Sequence, residues 1–421
     1  MNKAKFLCFI IFTALMVLLS GCWDYVEYEN MAQVYGMGID YNPESHEITV
    51  TIQSIETGTG VVGEAVGGGS SEKSKETMPK SVVHAAADFT VSDALEKLQR
   101  GIDKRLFYGY MEVIIIGKSS AQYITKDIME VLTRTPMLRT TANLFVSKES
   151  AMDVLRTFDP FSKAPSTINI HNMLNTLGET GLAFPVSVND FEKMMSTNGL
   201  EPVLPLISVK NLEEKKDEFT SEKGSQTVTP LELTKGHFII DSMAVFKGDV
   251  FKGFLEAKES EGFVWLMGKT KKSAVTLNNF QGVNTKKIII LRIVASKSKI
   301  ESRLVDGKLD MVIKIDAKAV LRKYVTEGGS SYITPEVINN IEEEMSRSIC
   351  MQIENTLKKG QKELKTDIFG FGYALYKKYP TLWHKKYADK WYEIFPGIPV
   401  KIIVKSKVIN TDTNIMKINA E

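Results

Sequence analysis

Along this chain, short apolar runs of strand type recur between segments whose apolar residues fall three and four apart. VYGMGIDY (34–41) and HEITVTIQSIE (46–56) read as two strands joined by an Asn-Pro turn. SVVHAAADFTV (81–91) resumes regular structure, and Ser92 is placed to cap a short helix, SDALEKLQRG, that Gly101 ends. MEVIIIG (111–117) is almost wholly apolar, as a strand covered on both faces is. A helix around 119–133, a strand TTANLFVS (140–147) and a helical pattern after Ser147 follow. This alternation predicts an α/β domain over the first half.

From 160 to 230 the pattern weakens. Pro160, Pro165, Pro185, Pro202, Pro205 and Pro230 interrupt it, and the charged run NLEEKKDEFTSEKG (211–224) has little to bury. Helical pieces followed by a linker fit best. Periodicity returns in GHFIIDSMAVFKGDVFKGFLE (236–256), where Lys247-Gly248-Asp249 reads as a hairpin turn. Residues 288–321 form two long strands around Asp306-Gly307, the strongest hairpin signal in the chain. Thr334-Pro335 then opens a helix, with proline at the first helical position, where its missing N–H costs nothing. Ile338, Ile341, Met345, Ile349, Ile353 and Leu357 give it one buried stripe, opposite Glu342, Glu343, Glu344, Arg347 and Lys358. VKIIVKSKVI (400–409) is a closing strand.

The expected fold is therefore mixed α/β (α+β) and multi-domain. It has mixed sheets with packed helices, and a long β-hairpin and a long helix in the C-terminal half. The expected organisation is a leader over 1–21, an N-terminal α/β domain over 22–200 and a linker over 201–235, followed by a C-terminal domain over 236–415. A break near 280–287 would divide that last domain into a small and a larger subdomain. Gly, Ser and Lys dominate residues 57–80, which read as a flexible surface loop.

The first 21 residues change the picture. Lys3 and Lys5 form a short positive region, and Phe6 to Leu19 is a 14-residue apolar run. As helix that run rises about 21 Å, short of the ~30 Å hydrocarbon core, so it suits export better than permanent spanning. Leu19-Ser20-Gly21-Cys22 follows, and it resembles the bacterial lipobox. On that reading the leader is cut between Gly21 and Cys22, and the Cys22 thiol carries a covalent diacylglycerol lipid. Two acyl chains, at about 0.8 kcal/mol per buried methylene, hold a protein stably where one is marginal. The alternatives are an ordinary secretory signal or an uncleaved anchor.

Composition is globular: 421 residues, 43% hydrophobic and 25% charged, with formal net charge +2. Lys3 and Lys5 leave with the leader, which has no acidic residue, so the mature chain is neutral. A neutral body has no basic footprint for nucleic acid and no bulk drive toward anionic lipid. Of the three cysteines, Cys8 leaves with the leader, Cys22 takes the lipid and Cys350 stays alone, so an intramolecular disulfide is excluded.

Chemistry finds no foothold. Gly58, Gly60 and Gly63 match the spacing of a dinucleotide loop, but a glycine-broken segment follows where a phosphate cradle needs a helix N-terminus. His46, His84, His171, His237 and His384 show no i+2 or i+4 pairing, and neither HExxH, CxxC nor a G-x-S-x-G elbow occurs. No catalytic or metal residue is assigned, and Cys350 beside Ile349 reads as packing. The most unusual patch is 367–397, where Tyr376, Tyr379, Trp383, Tyr387, Trp391 and Phe395 recur every three or four residues. This spacing makes a core stripe. Trp383, Tyr387 and Trp391 are also candidates for a partner-facing or membrane-facing surface, with Lys377, Lys378, Lys385 and Lys386 on the wet side.

Several separated stretches resemble one family. GCWDYVEYENMAQVYGMGID (21–40), YGYMEVIIIGKS (108–119), MAVFKGDVFKGFLE (243–256) and DIFGFGYALYKKYPTLW (367–383), followed by Trp391, look in order like blocks of the Ger(x)C lipoproteins, the C subunits of spore germinant receptors. That family usually has Arg-Glu-Ile after Cys-Trp-Asp, where this chain has Tyr25-Val26-Glu27-Tyr28. The resemblance implies a non-enzymatic lipoprotein on the outer face of the inner membrane of a bacterial endospore. Its partners would be two integral-membrane receptor subunits, in a complex that senses nutrients and triggers germination. Whether this chain itself binds the germinant is left open. The alternative is a substrate-binding lipoprotein of a transporter, which would need two similar α/β lobes around a cleft.

Overall fold

The computed structural model describes residues 27–56, 80–162, 164–211, 229–230, 233–278, 288–325 and 333–411. The leader, the lipobox with Gly21 and Cys22, and the loop expected at 57–80, save Lys80, lie outside the described residues.

A meander opens the fold: β1 (Met31–Tyr41), β2 (Ile48–Glu56) and β3 (Lys80–Asp88), antiparallel in order. Helix α1 (Val91–Gly101) leads to β4 (Arg105–Phe107) and β5 (Val113–Gly117), which both pair with β1 in parallel. Helices α2 (Lys118–Tyr123) and α3 (Thr125–Arg134) carry the chain back to β6 (Asn143–Ser147), parallel to β5. Then α4 (Ala151–Arg156), the short β7 (Thr157–Phe158), α5 (Ser166–Thr180) and α6 (Val188–Ser196) precede β8 (Val203–Asn211), parallel to β6. The sheet is completed by β9 (Thr229–Pro230) on β3, and by β10 (Thr234–Lys247) and β11 (Val250–Leu255), a hairpin on β8. Among the described residues it has eleven strands, in the order β11-β10-β8-β6-β5-β1-β2-β3-β9, with β4 paired to β1 and β7 to β10 off that path.

A second sheet of four strands follows α7 (Ala257–Leu266). It holds β12 (Ala274–Asn278), β13 (Ile288–Val305) and β14 (Lys308–Val325) in antiparallel order. Helix α8 (Pro335–Leu357) and helix α9 (Phe371–Lys378) come next, and β15 (Val400–Thr411) closes the sheet in parallel to β14. The two sheets are unlike, so the fold is a mixed α+β one and not a pair of similar lobes.

Alternation along β5 explains the layering. Val113 and Ile115 enter one core and Ile114 and Ile116 the other, all fully buried. One face is covered by α1, α2, α3 and α6 through Leu98, Ala121, Ile128 and Phe191. The opposite face receives α4 and α5, and its core runs on into α7, α8 and the second sheet. The stripe on α8 is where its periodicity puts it: Ile341, Met345, Ile349, Ile353 and Leu357 are buried. Thr334 caps that helix by accepting the Val337 N–H at 3.3 Å. The tip of the long hairpin is Asp306-Gly307, both left-handed at φ 50° and 75°, as the sequence signal requires.

Three expectations are corrected. Residues 201–235 are not a linker throughout: Val203–Asn211 is the interior strand β8, and β10 starts at Thr234. Pro205 is tolerated there because pairing with β6 begins one residue later, at Leu206. The helix expected at 119–133 is two, broken at Ile124. Thr90 rather than Ser92 caps α1, accepting the Asp93 N–H at 3.0 Å. Thr90-x-x-Asp93 was the available cue.

Candidate functional site

The aromatic block turns inward. Trp383, Tyr387 and Trp391 are 3%, 4% and 2% exposed, which corrects their candidacy for a partner-facing or membrane-facing surface. The reason is local. Helix α9 stops at Tyr379 because Pro380 cannot continue it, and short turns carry the chain from there to Gly397. One long helix would have kept a single outer face; successive turns aim ring after ring at one centre. Trp383 packs on Trp391 with ring centroids 5.1 Å apart, and Trp391 on Phe395 at 6.1 Å. Lys377, Lys378, Lys385 and Lys386 stay exposed.

At that centre lies an acid. Asp367 is fully buried, and its carboxylate accepts the Phe371 N–H at 3.0 Å, the Gly372 N–H at 2.7 Å and the Trp391 indole N–H at 3.0 Å. Burial pushes its pKa up to about 7 against these three donors, which pull the other way. Its backbone carbonyl accepts the N–H of a second buried acid, Glu201, at 3.0 Å. Glu201 accepts the Gly248 N–H at 2.5 Å and the Tyr392 hydroxyl. Its own pKa is raised by burial, opposed by Tyr392, Gly248 and Lys247. The Lys247 ammonium sits 3.5 Å from the centre of the Tyr392 ring.

The two carboxylates thus join three distant pieces: the turn before β8, the β10–β11 hairpin, and the block from 367 to 395. Backbone contact is very close here. Gly199 is left-handed (φ 70°), its carbonyl accepts the Tyr373 N–H at 2.8 Å, and a Cβ on it would lie 2.3 Å from the Gly372 carbonyl carbon.

A third acid, half-buried, works alike within the large sheet. Asp40, at the end of β1, accepts the N–H groups of Ala151 and Met152 at 2.8 and 2.9 Å, the first turn of α4. Burial raises its pKa to about 6. Gly36, Gly38 and Gly117 clear room for this packing: a Cβ on Gly117 would be 2.1 Å from an Asp40 oxygen, and one on Gly36 2.1 Å from the Thr167 methyl.

Each acid is engaged by N–H and O–H donors, so the arrangement clamps segments together and presents no free base to a substrate. Among the described residues no group of three or more His, Cys, Asp or Glu is placed to hold a metal ion. The histidines are dispersed: His46 meets the Tyr41 hydroxyl at 2.7 Å, His171 meets Glu112 at 2.9 Å, and His237 meets Asp159 at 3.3 Å. Cys350 is half-buried rather than enclosed, and burial with nearby Glu354 raises its thiol pKa, away from a reactive thiolate. Pattern reading did not find Asp40, Glu201 or Asp367. The available cue was a lone acid within apolar residues and glycines, as in GMGID and TDIFGFG.

Two family models match the chain. One, described as the spore germination protein N-terminal domain, matches residues 24–209; the other, spore germination B3/GerAC like, C-terminal, matches 241–412. Spore germination protein KC of Bacillus subtilis (strain 168) is 26% identical over 97% of this chain and 96% of its own length. Spore germination protein B3 of the same organism is 22% identical over 96% of this chain and 98% of its own. A solved structure, the crystal structure of the GerBC protein, shares the fold with TM-score 0.51 at 19% identity, covering 89% of this chain and 97% of that one. The clamp joins residues of both matched regions.

Proposed function

The chain belongs to the Ger(x)C spore germination family, the C subunits of germinant receptors, and from that membership we propose that it is a non-enzymatic, lipid-anchored receptor subunit. It acts in assembly or in passing the nutrient signal to two integral-membrane subunits, from the outer face of the spore inner membrane. The observation that carries this is the match of both modules in order, over nearly the whole chain. The clamp supports it, because buried acids engaged by backbone donors make the two modules one body that can bear on partners as a unit.

Cys22 is the anchor. Among the described residues no helix is long and apolar enough to cross a membrane. Two acyl chains on Cys22 supply stable attachment, and confinement to the membrane plane raises the effective concentration toward membrane partners. Deleting the chain is expected to abolish the response of spores to the nutrients its receptor reads, tested over a panel of amino acids and sugars. Reintroducing the parent restores it; Cys22→Ala restores little. Full restoration by Cys22→Ala would contradict the anchored role.

A further inference from the structure

We propose that Phe107 and Tyr110, near the end of the large sheet where β1 begins, form the surface that rests in the headgroup region of the bilayer. This rests on the anchor at Cys22. The tether sets the geometry. Glu27 begins the described chain and closes a turn, its carbonyl accepting the Asn30 N–H at 2.9 Å. Glu27 is five steps along the chain from Cys22, a reach of at most about 18 Å. The bilayer must therefore come that near to the start of β1.

That end of the molecule is aromatic. Met31, Ala32 and Gln33 of β1 pair with Arg105, Leu106 and Phe107 of β4, so Phe107 lies one strand from where the chain enters. Phe107 is 40% exposed and Tyr110 43%. Their rings meet edge-on at 5.7 Å, and Tyr110 stacks on Tyr35 at 5.9 Å. The arrangement is built. Tyr108 is buried and holds the turn, and a Cβ on Gly109 would lie 2.5 Å from the Phe107 ring, so glycine is what lets that ring fold over the backbone.

Strands β5 and β6 run parallel to β1 and start level with Gly36, since Gly36 pairs with Val113 and Val113 with Asn143, so the 3-10 turn that carries Tyr110 lies between this end and the start of β5. Glu27, Glu29 and Asp103 are exposed here along with Arg105, which pairs with Met31, so local charge is of mixed sign. Aromatic and apolar contact, rather than net charge, would seat the molecule, and tyrosine suits a headgroup layer with its body apolar and its tip wet.

Other exposed aromatics sit elsewhere. Phe89, 69% exposed, follows β3 at the opposite end of the meander, where Asp88 pairs with Ile48 and Ile48 with Tyr41. Phe107 is level with Gln33, eight steps along β1 from Tyr41, which puts that end about 27 Å away.

The test uses the lipidated full chain with Cys350→Ser, so that one thiol at a time carries an environment-sensitive fluorophore, at F107C, Y110C or F89C. Each is bound to vesicles of phosphatidylglycerol and phosphatidylethanolamine with brominated acyl chains. The expected result is a blue shift and quenching at 107 and 110, and neither at 89. Stable attachment to vesicles without quenching at 107 and 110 overturns this surface and leaves the anchor intact. Quenching at 89 as strong as at 107 overturns it too. A blue shift at 107 that needs the receptor's membrane subunits in the vesicle makes the occupant a protein and likewise overturns it. A chain that fails to stay with the vesicles refutes the anchor, and this inference with it.

Discussion

At the scale of single residues, the molecule turns on three carboxylates, two buried and Asp40 half-buried. Asp367 accepts from two backbone N–H groups and one indole N–H. Asn at 367 would set an amide donor against at least one of them, so Asp367→Asn is expected to cost about 1–3 kcal/mol in urea unfolding. The pH dependence has a definite sign. The pKa is raised by burial from 3.8 to about 7, so between those values the folded state keeps a proton the unfolded chain has released. Stability therefore falls as pH rises through this window, and Asp40 adds the same sign up to about 6. Unfolding measured from pH 4.5 to 8 is expected to show this decline in the parent and a shallower one in Asp367→Asn; equal slopes would refute it. Such acids are hard to read in sequence because isolated aspartates and glutamates abound. What marks these three is the set of donors that distant segments bring to them.

At the scale of elements, the legible parts were those governed by local rules. The Asp306-Gly307 hairpin, the proline-started α8 and its stripe are set by turn chemistry and period alone. Strand β8 was hidden because Pro202 and Pro205 look like breakers until the pairing partner is known. The aromatic block misled differently: its spacing was helical, but Pro380 and the following short turns removed the outer face that a continuous helix would have had. Truncating its rings then tests packing. Trp383→Ala and Trp391→Ala are each expected to cost about 3–5 kcal/mol, read as a lowered unfolding midpoint. Unchanged stability with lost receptor assembly would instead make these rings an interface. A second element-level test is the contact between α7 and α8, where Thr356 donates to the Glu259 carbonyl at 2.6 Å and a Cβ on Gly262 would lie 2.2 Å from the Gln352 oxygen. Gly262→Ala must push these helices apart, at an expected cost of about 1–3 kcal/mol by the same assay.

At the scale of the whole molecule, the large sheet runs through the expected domain boundary, and the clamp ties residues 199–201 to 247–248 and 367–392. One body is what the proposed anchoring at Cys22 calls for in a subunit that bears on membrane partners. Fractionation checks the tether: Cys22→Ala is expected to fold and to leave the membrane pellet, and its full retention there would exclude the anchor. Affinity purification reads out whether the chain sits in the proposed receptor complex. With the chain tagged at its C-terminus and spore inner membranes solubilised in mild detergent, two polytopic membrane proteins are expected to co-elute in fixed ratio to it. A lipidated chain that elutes alone, from membranes where those proteins are present and intact, would rule out its place in such a complex.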